Sequence, residues 1–263
     1  MTVGRAALAT LALAIAARSE GGELPFRAGE RVGFKITYLH IVAGRAVVSV
    51  LPGDGGREGL LRFVVEARSQ GFFAWLFRYR VDDRTVALWD PATGCSLGIE
   101  KHLREGKTVR DQVVRIEPET GVVHMQDPRV QQERFELEPC VLDVLSAFFV
   151  TRLDGVSEGH PFELPVFDNG KHFRLGVRFL GRERLDLPPP FGARTPTVIV
   201  EPRLLEGTGL FVREGRLRIW LTDDARRVPV RMRSKVPLGS VSADLEEYEA
   251  GGGERTTALP TVW

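Results

Sequence analysis

Apolar and charged residues alternate with a period of two in one stretch of this chain after another, and that period confines it to strands with one buried and one solvated face. Val32, Phe34, Ile36 and Tyr38 alternate with Arg31, Gly33, Lys35 and Thr37. Leu61, Phe63, Val65 and Ala67 alternate with Arg62, Val64, Glu66 and Arg68, and Phe173, Leu175, Val177 and Phe179 with Arg174, Gly176, Arg178 and Leu180. Further on, Leu217, Ile219 and Leu221 oppose Arg216, Arg218 and Trp220; Val230, Met232 and Val236 oppose Arg231, Arg233 and Lys235; Val241, Ala243 and Leu245 oppose Ser242, Asp244 and Glu246. An amphipathic helix would instead repeat every 3 to 4 residues. The expected fold is therefore mainly β: a large antiparallel curved sheet or open half-barrel.

Turn chemistry supports antiparallel neighbours. Asp168-Asn169-Gly170-Lys171 carries the Asn-Gly pair that tolerates positive φ at two successive positions, which a type I′ hairpin requires. Pro52-Gly53-Asp54-Gly55-Gly56, Asp90-Pro91-Ala92-Thr93-Gly94 and Asp223-Asp224-Ala225-Arg226-Arg227 read as further turns. Pro188-Pro189-Pro190 cannot enter a sheet interior, so residues 187–194 are expected to form a stiff loop. One main buried helix is expected from Cys140 to Leu153, where Val141, Val144, Leu145, Phe148, Phe149 and Leu153 fall at helical spacing, with Pro139 at its start and Arg152 in its last turn.

The N-terminus has the layout of a secretory signal: Arg5, an apolar run from Ala6 to Ala17, and the small-x-small site Ala14-Ile15-Ala16. The run is shorter than the ~20 residues of a spanning helix, so residues 1–17 are expected to be cleaved, a short N-terminal anchor being the alternative. Residues 18–249 then form a single β-rich domain, and residues 250–263, which lack periodicity, a flexible tail. Export places the protein in the periplasm. Whether Cys95 and Cys140, the only cysteines, form a disulfide is open at this stage. The 36 Lys and Arg are matched by 35 Asp and Glu, so no global field favours nucleic acid.

No spacing announces a reaction. Gly-x-Ser-x-Gly is absent, Gly53-Asp54-Gly55-Gly56 lacks the Lys and hydroxyl of a phosphate loop, and His40, His102, His124, His160 and His172 are scattered singly. No metal or cofactor is expected. Should a site assemble only in three dimensions, for example in an uncharacterised hydrolase, Asp143, Asp223, His124 and His172 are the side chains to test. Two features stand above background: the aromatic run Phe72-Phe73-Ala74-Trp75-Leu76-Phe77, and the basic row Arg216, Arg218, Arg231, Arg233 and Lys235, a solvated face paired with Asp244 and Glu246 or a dock for anionic headgroups.

Several segments together resemble the bacterial exported proteins catalogued as domain of unknown function 3108. They are Phe26-Arg27-Ala28-Gly29-Glu30-Arg31-Val32, Ala43-Gly44-Arg45-Ala46, residues 142–149 of the helix, Gly209-Leu210-Phe211, residues 219–230 around Thr222-Asp223-Asp224-Ala225-Arg226-Arg227, and Gly239. The resemblance implies a Gram-negative-type envelope location and a mostly β fold, and brings no reaction with it. More loosely, a long antiparallel sheet with one buried helix is similar to the half-barrels of periplasmic lipoprotein carriers, which hold acyl chains between sheet and helical lid. Fold does not fix function. The expectation is a non-enzymatic periplasmic protein binding a lipid or lipoprotein-like ligand in a concave sheet. Phe72, Trp75, Phe77, Phe148 and Phe149 would line the pocket, and Arg216, Arg218, Arg231 and Arg233 would meet headgroups at peripheral membrane contact. The alternative is an envelope assembly or structural factor binding other envelope proteins or glycan through strand edges.

Overall fold

The structure is a computed structural model that describes residues 23–70, 80–128, 130–153, 162–206, 217–236 and 239–252. Its first half is a meander of β1 (Glu30–Tyr38), β2 (Ile41–Pro52), β3 (Leu61–Ser69), β4 (Asp82–Asp90), β5 (Cys95–Glu105), β6 (Thr108–Glu117), β7 (Val122–Asp127) and β8 (Val130–Glu136). A crossover follows, holding β9 (Leu142–Asp143) and the helix α1 (Val144–Val150). The chain returns through β10 (Phe162–Asp168), β11 (Lys171–Leu187), β12 (Gly192–Glu206), β13 (Arg218–Thr222), β14 (Pro229–Val236) and β15 (Gly239–Ala250).

All of these strands join one sheet of 15, ordered β8 to β1 and then β15 to β9, so the two meanders meet where β1 pairs with β15. Every pairing is antiparallel except β9 with β10. β15 runs through Glu249 and Ala250, which pair with Arg31 and Glu30. The inward rows read from sequence land as expected at Val32, Phe34, Phe63, Val177, Ile219, Val230, Ala243 and Leu245, whereas Val64 and Trp220, read on the opposing rows, are buried as well.

Register shifts in β1, β5, β11 and β12 bend the sheet, as bulges do, until its two ends face each other. The β10–β11 hairpin reaches the opposite end, where Phe135 and Phe167 lie 5.0 Å apart and Lys101 forms an ion pair with Asp168. β8 and β9 do not pair with each other, so the sheet stays unclosed. The Asn169-Gly170 turn has φ of 51° and 75°, the two positive values its sequence predicts.

The crossover fills the concavity. Phe149 of α1 stacks on Phe63 of β3 at 3.8 Å, and Phe26 meets Phe63, Trp89 and Phe149 edge-on at 5.5, 5.9 and 5.2 Å. The helix is shorter than its apolar spacing suggested. Leu142 and Asp143 are taken into parallel pairing with Val166 and Phe167, Cys140 is held at φ 59° and bonded to Cys95, and Asp143 caps the helix at Val144. Arg152 lies one residue past the C-cap Thr151 rather than in the last turn. The proline loop is also shorter than expected, because Leu187 already pairs with Gly192 and only residues 188–191 lie outside the strands.

Candidate functional site

At one end of the sheet, where β1, β3 and β15 start or stop, the concave face is not filled. A cavity of about 270 Å³ opens there, lined by Ile36, Tyr38, Ala43, Gly44, Arg45, Ala67, Arg68, Ser69, Val81 and Val241. Its wall is apolar. Ile36 continues the inward row of Val32 and Phe34, Ala67 the row of Phe63 and Val65, and Val241 that of Ala243 and Leu245, so alternation alone brings these side chains to one space. Small side chains line it at Ala43, Ala67 and Ser69, whereas Gly44 lets β2 approach β3 closely, since a Cβ there would come within 2.2 Å of the Arg68 carbonyl oxygen.

The two arginines of the wall are tied outward. The Arg45 Nε and Nη2 donate to Glu246 at 2.6 and 3.1 Å, and Arg68 Nε donates to Asp82 at 3.1 Å. Their side chains therefore add stem rather than charge to the cavity. The hydrogen bond to Arg45 holds the Glu246 carboxyl below its usual range and raises Arg45 in turn. Beyond Val81, which bridges to Glu105, burial pushes the Glu105 carboxyl up, and the neighbouring Asp83 adds to that.

The residues expected to bind ligand are distributed differently. Phe72, Trp75, Phe77 and Arg216 lie outside the described residues. Phe149, 1% exposed and stacked on Phe63, belongs to the core and does not line the cavity. Phe148 is half-buried, 5.7 Å from Phe149, and packs against both the main core and the smaller cluster of Val177, Val198, Val200, Ile219 and Leu221. Described members of the basic row share a face: Arg218 pairs across strands with Arg233, and Trp220 with Arg231. Arg231 is neutralised by Asp244 at 2.5 Å, as expected, whereas Glu246 goes to Arg45. Arg233 sits 5.7 Å over the Trp220 ring, whose Nε1 donates to Glu183 at 2.7 Å.

The side chains named for a three-dimensional active site are not brought together. Asp143 is fully buried, and its carboxylate accepts from Leu145 N and Ser146 N at 2.9 Å, Ser96 Oγ at 2.8 Å and Ser146 Oγ at 2.6 Å. Burial raises its pKa and these hydrogen bonds oppose the rise; it is a helix cap with no route to substrate. Asp223 accepts from Arg182 at 3.0 Å, His124 faces Glu117 at 3.6 Å, and His172 faces Glu138 at 3.2 Å. Elsewhere His102 meets Asp111 at 2.9 Å, His40 occupies the β1–β2 turn, and His160 lies outside the described residues. Among the described residues no three His, Cys, Asp or Glu side chains gather as a metal site would need.

What the local sequence did not reveal is a buried polar knot in which Arg152 joins two of the resemblance segments, at Glu30 and Arg226. The Arg152 guanidinium bonds to Glu30 Oε1 and Oε2, to Pro25 O and to Arg226 O. Asp224 in turn takes both Arg226 and the Thr222 hydroxyl, and although burial opposes them, these bonds hold its carboxyl below the usual range. The signal was a charged residue, Arg152, on an otherwise apolar helical face.

Comparison with known proteins supports the fold. No curated protein matches the sequence. A crystal structure titled as a β-barrel-like protein of the domain of unknown function DUF1849 from Brucella abortus is 12% identical, with a TM-score of 0.58 over 85% of this chain and 98% of that one. The hypothetical protein CT021 from Chlamydia trachomatis is 10% identical over 90% of this chain and 94% of that one, with a TM-score of 0.36. The first of these shows a shared β-barrel-like fold and nothing of activity. The family model of a protein of unknown function, DUF3108, matches residues 33–246, and the chain belongs to that family.

Proposed function

We propose that this protein is a non-enzymatic periplasmic binding protein that holds a single apolar chain, such as the acyl chain of an envelope lipid or lipoprotein, in the open end of its curved sheet. The observation that carries this reading is the apolar cavity of about 270 Å³ among Ile36, Tyr38, Ala67, Val81 and Val241. Sites for drug-sized ligands run from ~300 to ~1,000 Å³, so this volume suits one chain rather than a whole multi-chain lipid. The filled aromatic core behind it bars deeper entry.

Two further observations support the reading. Cys95 and Cys140 are disulfide-bonded, a state that an oxidising envelope compartment maintains. The acids and histidines expected of a catalytic centre are each engaged in separate structural roles. Native mass spectrometry of the purified protein, followed by solvent extraction, tests the proposal. Copurifying lipid that is lost when Val241→Phe fills the cavity supports it; a wild-type protein that carries no lipid and takes up none when offered fatty acid overturns it.

A further inference from the structure

The chain makes the same two-residue hairpin twice with opposite chemistry. At the β10–β11 turn, Asn169 and Gly170 take φ of 51° and 75°; at the β1–β2 turn, Leu39 and His40 take 47° and 68°. Asn and Gly suit these angles, but a leucine there crowds its own backbone, and such outliers mark positions held for a purpose. Leu39 is nonetheless 47% exposed, and Val42 beside it 36%. The neighbouring β14–β15 hairpin accommodates it: Leu39 N donates to Ser240 O, and a Cβ on Gly239 would come within 2.4 Å of the Leu39 side chain. Gly239 thus keeps the space that the leucine fills.

The same hairpin brings charge. Lys235 pairs across strands with Ser240, Arg233 with Ser242, and Arg218 with Arg233, so two like charges face each other directly on the outer face of the sheet, an arrangement that disfavours the fold. The acids around them are engaged elsewhere: Glu201 with Arg178 and Arg203, Asp244 with Arg231, Glu183 with Trp220. Among the described residues no carboxylate lies within ion-pair distance of Arg218, Arg233 or Lys235.

We infer that this end of the molecule docks on an anionic lipid bilayer, with Leu39 and Val42 entering the interface and Arg218, Arg233 and Lys235 meeting headgroup phosphates. A soluble polyanion would use the cations but not the leucine; a bilayer surface uses both. Tyr38, next to Leu39, lines the cavity, so docking turns the cavity mouth toward the membrane. That consequence, transfer of an acyl chain between bilayer and cavity, rests on the function proposed above, whereas the contact itself does not.

The test is co-sedimentation of the full chain with vesicles of phosphatidylglycerol and phosphatidylcholine, and with phosphatidylcholine alone. Leu39→Asn places a residue suited to positive φ, so it should fold at least as well as wild type while binding mixed vesicles roughly tenfold more weakly. Arg218→Glu with Arg233→Glu should abolish the preference for anionic vesicles. Wild-type protein that fails to sediment, or Leu39→Asn that sediments equally, overturns the proposal. So does a change in oligomeric state by Leu39→Asn with vesicle binding intact, which would make the tip a protein contact. Uptake of a soluble fluorescent fatty acid by Leu39→Asn, measured without vesicles, separates failure of docking from failure of the cavity.

Discussion

Arg152 and Glu30, 122 residues apart in sequence, meet in a two-point ion pair with Nη1–Oε1 at 2.6 Å and Nη2–Oε2 at 3.0 Å, both side chains at most 3% exposed. The guanidinium also donates to Pro25 O and Arg226 O and lies 5.2 Å from the Phe26 ring centre, so each of its three nitrogens has a partner. The pair joins the segment that enters β1, the end of α1 and the β13–β14 turn. Removing one partner strands a buried charge, which costs about 3–5 kcal/mol. Arg152→Met and Glu30→Gln are therefore each predicted to destabilise strongly in urea unfolding, and the double variant by clearly less than the sum. A loss below ~1 kcal/mol in both single variants would mean that the pair is not buried as described.

Phe149 distinguishes a core from a pocket. Stacked on Phe63 and edge-on to Phe26, it is predicted to lose about 3–5 kcal/mol of stability on truncation to alanine, with no gain in ligand uptake. Chemical denaturation and a fatty-acid titration on the same variant check both halves. A mild loss accompanied by increased uptake would place Phe149 at a binding surface.

The Cys95–Cys140 bond closes a loop of sequence separation 45. Loop-closure entropy for that length amounts to about 4 kcal/mol, and measured values for native disulfides range from ~2 to ~5. The double Cys→Ala variant should lower the unfolding midpoint accordingly, and wild-type protein unfolded without reductant should show no free thiol. Two titratable thiols would refute the bond.

Glu105 supplies a pH dependence of known sign. Burial and Asp83 raise its pKa in the fold above the value of the unfolded chain, so the folded state holds the proton more tightly. Its contribution is fully favourable below the ordinary glutamate range and declines as pH rises through the elevated folded value. Glu105→Gln is predicted to raise the melting temperature at neutral pH and to leave it unchanged at acidic pH. A difference that is constant with pH would contradict this.

Much of this fold was legible because strand alternation and turn chemistry are local. Val32 and Phe34, Leu217 to Leu221 and the Asn169-Gly170 turn carry their structure in their own spacing. The return of β15 to β1 was not legible, since nothing local to Val241 or Ile36 says that they face one space. The helix boundary failed for a similar reason: Val141 stands at helical spacing from Val144 and Leu145, but the pairing of Leu142 with Val166 and the bond at Cys140 claim that segment for the sheet. The aromatic pocket became a core at Phe149 because ring content predicts burial without saying whether protein or guest fills the space. The cavity itself is marked by small residues, Ala43 and Ala67, and small residues leave a faint signature in a sequence.

The most direct test of the account is titration of the purified, delipidated protein with a fluorescent long-chain fatty acid, in parallel with Ala67→Leu, which fills the cavity from its wall. The account predicts saturable binding of one chain per protein, competed by unlabelled fatty acid and lost in Ala67→Leu at unchanged thermal stability. Equal binding by both proteins, or no binding by either, would contradict it.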